Sequence, residues 1–172
     1  ALAFGMWTTA AGASDLQSAL AELGAKRRSD IKQAVVALGT LNDPAALPAL
    51  EALRDRRLRI DETGSVYIIS EDGETLSLVS DGGPVAVEVI QLRTPRINNV
   101  VRRSLRVVIA QLQLHSPDAG VRLAAAEELN QRLEPTMMGI LTTAFEKEKD
   151  QTVRDALAVA LAQMQLKSED AQ

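Results

Sequence analysis

One helix scheme occurs twice in the C-terminal half of the chain, as Asp118-Ala-Gly-Val121-Arg122-Leu-Ala-Ala125 and as Asp150-Gln-Thr-Val153-Arg154-Asp-Ala-Leu157. In both places a carboxylate that can cap the first turn is followed by Val-Arg and by a face rich in alanine. The pattern predicts a capped helix that begins with one buried aliphatic residue and one solvated arginine.

A second helix scheme has an acid, a proline, and apolar residues three and six positions after the proline. It occurs as Asp43-Pro44-Ala-Ala-Leu47-Pro-Ala-Leu50 and as Glu134-Pro135-Thr-Met-Met138-Gly-Ile-Leu141. The helix near Ile31 precedes the first of these as the Val121 helix precedes the second, so the two types alternate. Alternation is typical of a HEAT-like α-solenoid, in which antiparallel helix pairs stack around one continuous core. An irregular helical bundle is the other reading.

Between residues 58 and 92 the apolar period changes from helical to two. Val66-Tyr67-Ile68-Ile69 and Leu76-Ser77-Leu78-Val79 are rich in β-branched and alternating residues, with the turn signal Asp72-Gly73 between them. This segment predicts an inserted β-hairpin or small meander. Before it, Gly39 predicts the end of the helix that begins after Asp30.

The chain is expected to form a single, mainly α domain over residues 1–172. Helical repeats are predicted at 14–57 and 97–166, the β insertion at 58–92, and flexible ends at 1–12 and 167–172. The apolar residues 1–7 fit either the remnant of an export signal or an ordinary flexible terminus. The last helix has no second-type partner after it, so we expect further chain after residue 172 in the parent protein.

Composition excludes several kinds of chemistry. The chain has no cysteine, one histidine (His115) and 2% aromatic residues, and its formal charge is −4. Disulfides, thiolate catalysis and multi-histidine metal sites are therefore excluded, and no phosphate loop or dinucleotide fingerprint occurs. We expect no enzyme and no catalytic, cofactor-binding or metal-binding residues. Two acidic runs, 71–74 and 146–150, are interpreted as a solvated hairpin tip and a solvated helix end.

One basic segment stands out from this acidic background. No acidic residue occurs between Glu88 and Asp118. On a helix that starts near Asn98, one polar stripe would contain Asn99, Arg102, Arg103 and Arg106, opposite Val101 and Leu105. The segment contains the candidate docking residues Arg93, Arg96, Asn98, Asn99, Arg102, Arg103 and Arg106.

Three readings of this segment remain open. It can be a solvated basic face in which Asn98 or Asn99 is an ordinary N-cap. It can be a docking surface for an acidic protein partner or for phospholipid headgroups. A nucleic-acid groove is the third reading, but the net negative charge and the few aromatic residues argue against nucleic acid as the partner.

The same residues carry a family resemblance that covers about 16–166. Residues 92–105, Leu-Arg-Thr-Pro-Arg-Ile-Asn-Asn-Val-Val-Arg-Arg-Ser-Leu, together with the 112–118 and 121–127 stretches, resemble the N-terminal extension of urea ABC transporter permeases. These belong to the branched-chain amino-acid permease type. The 43–53 stretch fits the same extension. The most specific part is Arg-Ile-Asn-Asn-x-x-Arg-Arg at 96–103.

The resemblance implies a periplasmic domain of a bacterial inner-membrane protein, in which the transmembrane permease part follows residue 172. Its implied partners are a periplasmic urea-binding protein, a second permease subunit and cytoplasmic ATPases, with no cofactor and no nucleic acid. The chain has no permease part, so transport itself would belong to the parent protein. The implied role is non-catalytic, in complex assembly or in docking of the binding protein. The alternative is a free-standing HEAT-like adaptor that binds a protein, or less plausibly nucleic acid, through its arginines.

Overall fold

The structure is a computed structural model that describes residues 10–79, 83–85 and 92–169, and this part of the chain is mainly helical. It contains seven helices: α1 (Ala10–Glu22), α2 (Arg28–Leu41), α3 (Leu47–Arg54), α4 (Asn99–Gln113), α5 (Ala119–Asn130), α6 (Met138–Lys147) and α7 (Gln151–Glu169). The strands β1 (Leu58–Ile60), β2 (Val66–Ile69), β3 (Leu76–Leu78) and β4 (Pro84–Val85) form an antiparallel sheet in the order β1-β2-β3-β4. The prediction of a mainly α fold with an inserted meander is confirmed.

The helices pack in series along the chain. The first-type helices α2, α5 and α7 form one run of neighbours with α4, in the order α2, α4, α5 and α7, and α1 packs on α2. The second-type helices, α3 and α6, pack closely on the helix that follows them, α4 and α7 respectively. Serial packing between neighbours is what a repeat array requires, because each unit covers the apolar face of the next.

Helix α4 lies between two hydrophobic clusters. Leu105 and Leu112 face a cluster built with α1, α2, α3 and the sheet, whereas Ala110 and Leu114 face a cluster built with α5, α6 and α7. Buried aliphatic residues therefore lie on two different sides of α4. Its remaining exposed side carries most of the basic segment.

The prediction that Gly39 ends a helix is wrong. Helix α2 continues to Leu41, and Asn42, with φ of 50°, is the left-handed residue at its C-terminus. Asparagine tolerates this conformation better than most residues with a side chain. Gly39 is buried instead where α2 crosses α4, and a Cβ placed on it would lie 2.9 Å from Cγ2 of Val108. The glycine therefore permits close approach of two helices.

The aspartates of the repeated helix scheme act as caps, as predicted. Oδ1 of Asp118 accepts hydrogen bonds from the backbone N–H groups of Gly120 and Val121, at 2.7 and 3.4 Å. Asp150 accepts from the N–H groups of Thr152 and Val153, at 2.9 and 3.1 Å.

The prediction for the Val-Arg pair is only partly right. Val153 is buried, but Val121 is 36% exposed. The arginines are not solvated either, because Arg122 and Arg154 are both half-buried. The pattern detects the start of the helix but misplaces these side chains, because their partners lie outside the helix itself: Arg122 contacts Glu148, and Arg154 contacts the carbonyl of Phe145.

The meander is closed at its base by backbone hydrogen bonds. Ile60 and Arg93 exchange two of them, at 2.8 and 2.9 Å, so the chain leaves the sheet close to where it enters. The β1–β2 connection is organised by Asp61, whose carboxylate accepts from the hydroxyls of Thr63 and Tyr67 and from the N–H of Ser65. Burial raises the pKa of Asp61, but these hydrogen bonds outweigh it and hold the pKa at about 2.

The predicted flexible ends are shorter than expected where the structure describes them. Residues 10–12 belong to α1 and residues 167–169 to α7, since alanine at the start and the absence of proline or glycine at the end allow the helices to continue. Residues 1–9, including the apolar residues 1–7, lie outside the described residues. Among the described helices, none is both long and apolar enough to cross a membrane.

Candidate docking surface

The basic stripe is defined here as the exposed residues Asn99, Arg102, Arg103 and Arg106 of α4. Their spacing of three and four residues puts them on one side of the helix. Val101 and Leu105, between them in sequence, are buried in the first hydrophobic cluster. Because burial fixes the rotation of α4 about its axis, the arginines are held outward on a rigid element.

The stripe has no neutralising carboxylates in the part of the chain that the structure describes. Among the described residues, Arg102, Arg103 and Arg106 form no ion pair or side-chain hydrogen bond, and the same holds for the exposed Arg96 just before the helix. Like charges on adjacent turns repel one another. A row of arginines that does not stabilise the folded chain is suited to contact with an acidic surface of another molecule.

Two of the candidate residues have structural contacts. Arg93 is half-buried beside the sheet, and its guanidinium donates to the backbone carbonyl of Gly24 in the α1–α2 connection. Asn98 is the N-cap of α4, and its Oδ1 accepts from the N–H of Val101 at 3.0 Å. Arg93 therefore joins the meander to the N-terminal helices, and Asn98 fixes where α4 begins.

The run at 146–150 is not simply a solvated helix end, as its sequence suggested. Glu148 is buried and forms a two-pronged ion pair with Arg122, with Nε–Oε2 and Nη2–Oε1 distances of 2.7 and 2.8 Å. The pKa of Glu148 is lowered to about 2, first by the hydrogen bonds from Arg122, against the opposing effect of burial, and also by the N–H groups of Asp150 and Lys149. No local pattern predicts this pair, because its members are 26 residues apart.

A polar network joins the C-terminal ends of α2 and α4. The Nε2 amide of the buried Gln111 donates to the carbonyl of Gly39 at 2.6 Å and to Oδ1 of Asn42 at 3.3 Å. The amide of Asn42 in turn lies 3.0 Å from Nε2 of His115. The only histidine of the sequence is therefore at the edge of a structural network and is exposed to solvent.

Within the described residues, no three His, Asp or Glu side chains lie close enough together to hold a metal ion. The expectation that the chain has no catalytic or cofactor-binding residues stays a prediction. The structure also has a groove beside the stripe that the sequence did not predict. Its lining includes Lys32, Val36 and Arg132. These residues come from separate helices, and no spacing along the chain relates them.

The chain was compared with known proteins in three ways. It matches no protein-family model, no curated protein and no solved structure.

Proposed function

We propose that the chain is a non-catalytic docking domain of a urea-type ABC transporter permease. In this role it lies in the periplasm and takes part in assembly of the complex or in docking of the periplasmic urea-binding protein. The observation that carries the proposal is the basic stripe, a row of arginines on one helix without carboxylate partners among the described residues. The permease family comes from the sequence resemblance at 92–127.

The stripe would act mainly on association. A single exposed ion pair contributes little to affinity, because solvent and salt screen it. Several cations of the same sign in a row raise the local potential, speed the encounter with an acidic surface and select its orientation. A domain that recruits a binding protein again and again during transport needs fast association more than tight binding.

The test reverses the charge of two stripe residues in the full transporter. Arg102→Glu combined with Arg106→Glu should leave the helical content of the domain unchanged and reduce urea uptake by about tenfold, since both side chains are exposed and would repel an acidic partner. The measurement is uptake of labelled urea at matched expression.

The matched control is Lys26→Glu combined with Arg56→Glu, which changes the net charge equally at two exposed residues away from α4. This control should transport urea normally. Equal uptake by the stripe variant, the control and the unaltered transporter would overturn the proposal.

A further inference from the structure

A continuous groove crosses the face on which α2, α4 and the start of α6 meet. It consists of two depressions of about 980 and 670 Å³ that share Asn42, Thr136 and Ile140 as lining residues. Helix α2 supplies one side, the exposed flank of α4 lies in the middle, and the α5–α6 connection with α6 supplies the other side. The groove adjoins the basic stripe, because Arg103 belongs to both.

The floor of the larger depression is aliphatic. Val36 and Val100 are 47% and 44% exposed, and half-buried Val107 and Ile140 lie on the same surface. Exposed large aliphatic residues are ordinary when they are scattered, but several within one concavity indicate an interaction site. Among the described residues, no Phe, Tyr or Trp lines either depression, so the rings best suited to stacking on bases or sugars are absent there.

The rim is strongly cationic. Six cationic side chains line the groove against two carboxylates, although the whole chain has a net charge of −4: Lys32, Arg103, Arg122, Arg132, Lys147 and Lys149 against Glu134 and Glu148. Arg122 is neutralised by Glu148, and Arg132 lies 3.4 Å from Glu128. The other four cations form no ion pair with any described residue. An aliphatic floor between free cations fits an occupant that is apolar on one side and acidic on the other.

We propose that this groove binds an acidic amphipathic helix of a protein partner. The part of α4 that lines it, Val100 to Gln111, is about 16 Å long at 1.5 Å per residue, which accommodates roughly three helical turns. The groove is lined by helices and their connections rather than by a strand edge, so an extended peptide would find no backbone to pair with, whereas a helix satisfies its own hydrogen bonds. A membrane surface is flat and does not fill a concave site of this kind.

The inference rests on the proposed docking function and specifies the chemistry of the partner segment. Apolar residues at a spacing of three and four would cover Val36, Val100 and Val107, and glutamates or aspartates on both flanks would face Lys32 and Arg103. The basic stripe would then guide the partner, and the groove would hold it.

The probe is a fluorescein-labelled helical peptide of about twelve residues with leucines on one face and glutamates elsewhere, used in anisotropy titrations with the isolated chain. A second peptide has lysine in place of every glutamate. We expect saturable binding of the glutamate peptide and at least tenfold weaker binding of the lysine peptide. Equal binding of the two peptides, or no saturable binding of the glutamate peptide, would overturn the proposal.

Two substitutions locate the binding on the chain. Val36→Glu should weaken the glutamate peptide at least tenfold, whereas Val159→Glu, at a valine of similar exposure (49%) on α7, should leave binding unchanged. Lys32→Glu should act like Val36→Glu. If Val36→Glu and Val159→Glu bind the peptide alike, the groove is not its site.

The same variants separate this inference from the docking function. Neither Arg102 nor Arg106 lines the groove, and neither Lys32 nor Val36 belongs to the stripe. Loss of urea uptake in the stripe variant with unchanged uptake and peptide binding in Val36→Glu would keep the docking function and reject the groove. Peptide binding that depends on Val36, together with normal uptake in the stripe variant, would keep the groove and reject the transporter role.

Discussion

Arg122 and Arg154 occupy the same position in the repeated helix scheme, four residues after the capping aspartate, and make equivalent contacts. Nη1 of Arg122 donates to the carbonyls of Ser116 and Pro117, and Nη1 of Arg154 donates to those of Phe145 and Glu148. The guanidinium of Arg154 also lies 4.3 Å from the centre of the Phe145 ring. Each arginine thus donates hydrogen bonds to backbone carbonyls in the segment just before its own helix. Carbonyls at the end of a helix lack partners within that helix.

The ion pair of Arg122 with Glu148 should make stability depend on pH. Folding lowers the pKa of Glu148 from an ordinary 4.5 to about 2, so the unfolded chain takes up the proton first as the pH falls. The stabilisation is therefore complete above about pH 5 and disappears toward about pH 2. Glu148→Gln should cost about 2 kcal/mol of unfolding free energy near pH 7 and much less near pH 3.

Urea denaturation at the two pH values measures this difference. The control is Glu146→Gln, at an exposed residue of α6. Asp61 has a similarly lowered pKa and remains in both variants, so it contributes equally to their acid sensitivity. The explanation fails if Glu148→Gln loses as much stability on acidification as the unaltered protein does.

At the scale of elements, the crossing of α2 and α4 depends on the absence of a side chain at Gly39. Gly39→Ala should lower the unfolding free energy by about 1 kcal/mol, because overpacking against the stiff, buried Val108 costs about 1–3 kcal/mol and the better helix propensity of alanine returns up to about 1. The measurement is chemical denaturation followed by circular dichroism.

The background that tests the cause is Val108→Ala, which removes the two methyl groups nearest to the added Cβ. In that background Gly39→Ala should be neutral or stabilising, and a double-mutant cycle gives the interaction directly. If Gly39→Ala stabilises the chain with Val108 still present, the close crossing is not the reason for the glycine.

Local pattern was enough to predict the elements, since spacing of three and four or of two decides which face a residue presents. It also identified Asp118 as a cap and narrowed the cap of α4 to Asn98 or Asn99, because capping depends on residues within one turn. It could not predict the role of Gly39, because that role depends on contact with Val108 on another helix. It could not predict the ion pair of Glu148 either, because the partner residue lies one repeat away. The stripe could be predicted from the sequence of one helix. Predicting the groove would have required knowing how three helices are arranged in space.

At the scale of the whole molecule, α4 makes the two hydrophobic clusters one cooperative unit. Leu105 is buried in the first cluster and Ala110 in the second, so loss of either cluster exposes apolar surface on the same helix. The clusters are therefore expected to unfold together rather than in sequence.

Truncation of a leucine in one cluster tests this coupling, because the effect can be measured on a helix of the other cluster. Leu129→Ala, in the second cluster, should cost about 2–5 kcal/mol and lower the hydrogen-exchange protection of α2 as much as that of α7. Leu166→Ala is the control, because this leucine is 62% exposed on α7. Loss of protection in α5 to α7 alone, with α2 unaffected, would show that the clusters unfold independently.

The paired backbone of Ile60 and Arg93 makes the meander a closed side loop of the helical array. Its entry and exit are held side by side, so extra residues inserted between them add little cost in chain-closure entropy. At the far end, the β2–β3 turn around Gly73 is exposed and its glycine has φ of 80°. A reporter domain grafted into that turn would leave both hydrophobic clusters intact, because the turn contributes no residue to either of them, and lineages could lengthen the turn without altering the helical array that carries it.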